Sequence, residues 1–252
     1  MFEPENDLEI SLIRASEDPA HRPQFYRDFV ESNIFIIQNN QIPEDEGEVT
    51  LEAGMQLEIQ NIEIDGKLYI PIFSSVRRIQ TLVQNEVGYL ALNALEFLKI
   101  VNGSELVLNP GSDYGKEFNQ SEVASIVDGS IWQPQNSHTV EKETRVLIGQ
   151  PSNYPYELVE SLSRFFRNTK QVHSAYLAHF HNPDTGDPPH TLIGLVVADN
   201  WDEIVSSAGL IAEGVEVPDP PIDFLRIDTE EGNLEYFHSI EPFYKRKKFG
   251  LF

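Results

Sequence analysis

Four histidines and two aspartates between positions 173 and 190 are the densest set of side chains able to do chemistry. His173, His179 and His181 are separated by even numbers of residues, so an extended strand would present all three on one face. Asp184, Asp187 and His190 lie in or beside the turn-rich segment that follows. Imidazole and carboxylate suit zinc or another divalent metal, and His179, His181 and His190 are the candidate ligands. Exposed polar residues are equally normal on an edge strand, which is where this stretch is expected. That second reading needs no metal, and no cofactor is expected.

A second candidate is the stretch from Gly111 through Ser112, Asp113, Tyr114 and Gly115 to Lys116, which invites comparison with a phosphate loop. A phosphate loop needs four residues between its glycines and a Ser or Thr after the Lys. Here three residues intervene, and Glu117 puts a negative charge where phosphate would lie. Nucleotide binding is therefore not expected. Tyr114 and Phe118 could instead offer an aromatic contact surface at a strand end. The third candidate is the C-terminus, where Phe243 and Tyr244 precede the dense basic run 245–248. Aromatic residues and Arg are enriched at interface anchors, so Phe243, Tyr244, Lys245 and Arg246 are candidates for partner binding. The same rings could pack back on their own domain, with the basic run paired to its own acids. Both roles stay open.

Beyond these, the familiar catalytic spacings are missing. There is no G-x-S-x-G, H-E-x-x-H or G-x-G-x-x-G, and no cysteine, which removes thiolate chemistry and disulfides. Acidic residues number 41 against 18 basic, for a formal charge of -23. Such a surface repels phosphate backbones, so nucleic acid is not an expected partner; another protein with a basic surface is electrostatically compatible, although acidity that serves solubility alone explains the charge more simply. The start, MFEPENDLEI, lacks the basic and apolar regions of a signal peptide, and no apolar run approaches a membrane span. A cytoplasmic location without membrane contact is expected.

The elements that must position these residues fall into two halves. In the first, apolar positions at helical spacing predict helices over 4–18 and from Pro19 to about 32, with Asn6 or Asp7 as the first cap. Strands are expected at 33–38, 55–64, 68–73 and 105–108, and helices at 92–101 and 120–128. Asp65-Gly66 predicts a hairpin turn, and Pro71 implies an edge or a bulge. Residues 1–66 carry a net charge of -13, and the remainder -10. A polar segment at 131–141 reads as a linker between a first domain, 1–130, and a second, 142–252, that ends in the aromatic and basic tail. The second half reads β-α-β-β-α-β, with strands at 145–149, 171–181, 191–198 and 222–228 and helices at 155–166 and 201–213. That order predicts a ferredoxin-like sandwich whose first and third strands, the apolar VLIG and TLIGLVVA, are central. The fold class is thus α+β or α/β, with a mixed sheet and flanking helices in the first domain.

Several stretches resemble the SseB (enhanced serine sensitivity) family. These are NDLEISLIRASEDPAHRPQFYRDFVES near the start, DGKLYIPIFSS at 65–75 and LVLNPGSDYGKEF at 106–118. In the second half VLIGQPSNYPYELVESLSRFF, AYLAHF, HTLIGLVVAD and EPFYKRK resemble the family's C-terminal module. The resemblance implies a bacterial protein linked by phenotype to serine sensitivity. It supplies no catalytic residues, and related N-terminal modules favour protein binding. A non-catalytic regulatory or interaction protein is the expected function. The alternative is a metal-dependent enzyme or an amino-acid sensor built on the 173–190 cluster.

Overall fold

The computed structural model describes residues 2–38, 59–85, 87–134, 146–227 and 235–247. The chain is α+β and divides into two compact units, one within 1–17 and 24–131 and the other within 18–23 and 132–252. The inset 18–23 was not legible in the linear reading. Its Pro19–His21 turn belongs to the second unit, where the Asp18 carboxylate lies 2.7 Å from the Arg164 guanidinium. The expected linker falls largely on 135–141, and the start of the expected 55–64 strand on 55–58, all outside the described residues.

The first unit contains α1 (Asp7–Glu17), α2 (Arg22–Glu31), β1 (Asn33–Gln38), β2 (Ile62–Ile64) and β3 (Lys67–Ile72). It continues with α3 (Val76–Leu82), β4 (Gly88–Asn93), α4 (Ala94–Ile100), β5 (Leu106–Leu108), β6 (Lys116–Phe118) and α5 (Gln120–Asp128). Caps form where short polar side chains precede apolar stripes. Asn6 accepts from the Glu9 amide at 2.9 Å, and Asn119 from the Glu122 amide at 2.9 Å. β1 pairs antiparallel with β4, and β3 lies between β2 and the parallel β5, which in turn pairs with β6. Pro71 sits inside this order, not at its edge. Pairing with β2 stops at Tyr69, and a bridge to β1 begins at Phe73, so the missing donor falls in the gap between the two partners. Phe25 and Phe29 of α2 stack on Phe118 with ring centroids 6.4 and 4.8 Å apart, and all three are fully buried.

The second unit contains β7 (Leu147–Gly149), α6 (Tyr156–Asn168), β8 (Val172–His181), β9 (His190–Val197), α7 (Trp201–Ala212), β10 (Ile222–Arg226), α8 (Glu235–His238) and β11 (Tyr244–Lys245). Element types match the expected order, but the sheet does not have the ferredoxin-like arrangement. Its order is β10-β9-β8-β11, with β7 also on β8 and antiparallel to it. The first strand is therefore short and peripheral, and Leu147 is half exposed. β8, expected at the edge, is interior. A four-residue apolar run fixes neither burial nor which strand lies beside it, and Val146 and Leu147 are both exposed. One face of the sheet packs Leu158, Leu162 and Phe166 of α6 and Ile204, Ala208 and Ile211 of α7 against Ala175, Leu177, Ile193 and Leu195. The other carries Ala178, Leu192, Ile227 and Phe237. On that face Gly194 makes room for its neighbours, since a Cβ there would lie 2.5 Å from Ile227 Cδ1 and 2.9 Å from Phe237 Cε1 and force those side chains to shift.

Candidate functional site

The most connected polar cluster lies in the first unit, where the parallel strands β3 and β5 end. The chain leaves β3 through Ser74 and Ser75 into α3, which carries Arg78. It leaves β5 through Asn109, whose φ of 54° is a left-handed conformation that asparagine tolerates well. Asn109 Oδ1 accepts from the Ser74 amide at 2.9 Å, and its Nδ2 donates to Ser74 Oγ at 2.8 Å. From α1 the fully buried Glu9 carboxylate enters this corner. Its Oε1 accepts from Ser74 Oγ at 2.7 Å, Ser75 Oγ at 3.1 Å and Arg78 Nε at 2.9 Å. Its Oε2 accepts from Arg78 Nη2 at 2.7 Å and from the Glu5 amide at 2.9 Å. The Arg78 guanidinium also donates to the Glu3 carbonyl and lies 3.5 Å from the Phe2 ring centroid. Tyr114 meets that ring edge-on at 5.2 Å.

Burial alone would push the Glu9 carboxyl up. The bonds from Arg78, Ser74 and the Glu5 amide, together with the Arg78 charge, outweigh it and hold the group below the usual carboxylate range. The assembly is a bidentate ion pair with its remaining lone pairs filled. Chemically it can hold three chain segments together. A carboxylate so occupied is poorly placed to take a proton from a substrate. Sequence reasoning missed Glu9, Ser74, Ser75, Arg78 and Asn109. The available signal was Glu9 beside the Leu8–Leu12 stripe and Asn-Pro-Gly closing an apolar strand.

The loop 109–115 joins β5 to β6 in an antiparallel pair, not a strand to a helix, so it does not run into a helix N-terminus as a phosphate loop does. Lys116 Nζ lies 2.9 Å from a Glu122 carboxylate oxygen and 4.9 Å from the Phe118 ring centroid. Titrating ATP or GTP into the full chain should give no heat of micromolar binding, and such binding abolished by Lys116→Ala would contradict this account. Tyr114 is half-buried, whereas Phe118 is wholly within the core.

The histidines are dispersed. A bulge between Val172 and Ser174 breaks the two-residue period at His173. His190 pairs with Phe180 in register and packs on its ring at 5.2 Å, which puts it on the face opposite His179 and His181. Its Nε2 donates to Asp223 Oδ2 at 2.8 Å, while His179 faces Asp219 at 3.6 Å. Among the described residues no group of three or more His, Asp or Glu is placed to hold a metal ion.

In the tail, Tyr244 is buried in the core of the second unit and donates to the Phe166 carbonyl at 2.8 Å, with Phe243 packed partly against the same core. β11 pairs with Ser174 and Ala175 of β8. Arg246 donates to the carbonyls of Val172 at 3.1 Å, Phe166 at 3.2 Å and Thr169, so its charge closes the C-terminal end of α6. Lys245 is exposed, and Lys248 lies outside the described residues.

Fold and site together define a two-unit α+β protein in which the Glu9–Arg78 cluster of the first unit is occupied by partners from the same unit. Residues 8–125 match the SseB protein N-terminal domain and residues 140–246 the SseB protein C-terminal domain. The chain belongs to the SseB family. It is 28% identical to Protein SseB of Escherichia coli strain K12 over 251 residues, covering 98% of this chain and 95% of that protein. Protein SseB of Shigella flexneri is similar to the same extent. No solved structure matches the chain. Among the described residues no helix is long and apolar enough to cross a membrane.

Proposed function

We propose that the chain is a non-catalytic protein-interaction protein with a regulatory role in the cytoplasm, and that its partner is another protein with a basic surface. The observation that carries this reading is the state of Glu9 and Arg78. The most buried charged pair is closed off by its own unit, with no acceptor left for a substrate. The net charge of -23 supports a cationic partner, because opposite fields speed encounter and suppress wrong pairings. The His/Asp reading draws no support from histidines that lie on opposite faces of a sheet. Affinity capture with the tagged full chain in its native host tests the proposal. One or a few proteins should co-purify near stoichiometry and fall away as salt rises. No protein above background, or turnover of a metabolite that depends on Glu9, would overturn it.

A further inference from the structure

β7 is a short strand paired, among the described residues, on one side only, through Leu147↔His181, Ile148↔Phe180 and Gly149↔His179. Its open side leaves main-chain groups able to pair with another extended chain. Leu147 is 52% exposed. Tyr154, just before α6, and Tyr156, its first residue, have rings 4.8 Å apart between centroids, and Tyr156 is 77% exposed. An open strand edge, followed five residues later by two solvent-facing tyrosines, supplies the main-chain pairing and the aromatic surface that peptide recognition uses.

The charge at this corner selects the occupant. Residues 146–163 and 174–199 contain neither Lys nor Arg. They carry Glu157 in the first turn of α6, and Asp184 and Asp187 in the connection that follows the β7-paired end of β8. A second copy of a chain of charge -23 would bring like charge to like. A cationic segment is complementary, and its Lys or Arg side chains can sit over tyrosine faces.

We infer that the β7 edge, with Tyr154 and Tyr156, is the docking surface for an extended cationic peptide segment of a partner protein, added as a further strand. This rests on the interaction reading above and names its surface. A fluorescent decapeptide of alternating Val and Arg should bind the full chain and slow hydrogen exchange at the amides of β7. Tyr154→Ala/Tyr156→Ala should weaken that binding at least tenfold. An alternating Gly and Arg peptide has the same charge without the strand preference, and should also bind at least tenfold more weakly. Equal binding by the tyrosine variant or by the Gly–Arg peptide would overturn the site, leaving only attraction to the overall charge. Native-host capture separates the two failures. Partners retained by the tyrosine variant would refute this surface and leave the interaction reading intact, whereas no partner with the unaltered chain would refute the interaction reading itself.

Discussion

Replacing Arg78 by Met, or Glu9 by Gln, is expected to destabilise the first unit by about 3–5 kcal/mol, because each leaves the other half of a fully enclosed ion pair without its partner. For a unit of this size that corresponds to a fall in melting temperature on the order of 10–20 °C. Replacing both at once, as in Glu9→Leu/Arg78→Met, should recover most of the loss, since a buried pair can often be exchanged for apolar residues at little net cost. Thermal melts of the unaltered chain, Glu9→Leu, Arg78→Met and the double variant form a double-mutant cycle, and single variants that melt like the unaltered chain would contradict the account. The pH dependence follows from the direction of the Glu9 shift. With the folded carboxyl held below its ordinary value of 4.5, its contribution is fully present above that value and is lost as pH falls through the folded one. Glu9→Gln should remove this part of the acid sensitivity.

The second large effect is expected at Tyr244. Truncation to Ala removes a buried ring from the core of the second unit, together with the bond to the Phe166 carbonyl, and should cost about 3–5 kcal/mol. Tyr244→Phe keeps the ring and should cost only about 1 kcal/mol. Arg246→Ala should fall between them, at about 1.5–3 kcal/mol, because it frees the carbonyls at the end of α6 from a charged donor. Lys245→Ala, at an exposed position, should change little. Denaturant titration orders the four variants, and a Tyr244→Ala protein as stable as Lys245→Ala would show that the tail is not anchored.

These residues show what could be read in the sequence. Periodicity placed α1, α2, β1, α6, β8 and β9 within three residues at either end, because Leu8–Leu12, Phe25–Phe29 and Leu158–Leu162–Phe166 are stripes whose faces are in fact buried. It missed α3 because Arg78 and Ile79 both point inward, and a charged residue on a core face hides the stripe. β4 and β6 were missed because GYLALN and KEF are short and mixed. Strand order failed for a different reason. The apolar run at β7 proved peripheral and partly exposed, because burial and neighbour choice are both set by long-range packing that no local run encodes. The polar corner escaped because Glu9 and Arg78 are separated by 69 positions and each looks solvated by itself. In the histidine cluster, even spacing held only between His179 and His181. The bulge at His173 and the register of His190 broke the rest.

The central claim is that the buried polar corner is architecture and that function resides on the surface. The most direct measurement is quantitative capture from the native host with the Glu9→Leu/Arg78→Met protein beside the unaltered chain, both first shown to be folded by their melts. The account predicts the same partners in the same amounts from both. A folded double variant that loses its partners would contradict it, and would place the function at Glu9 and Arg78 after all.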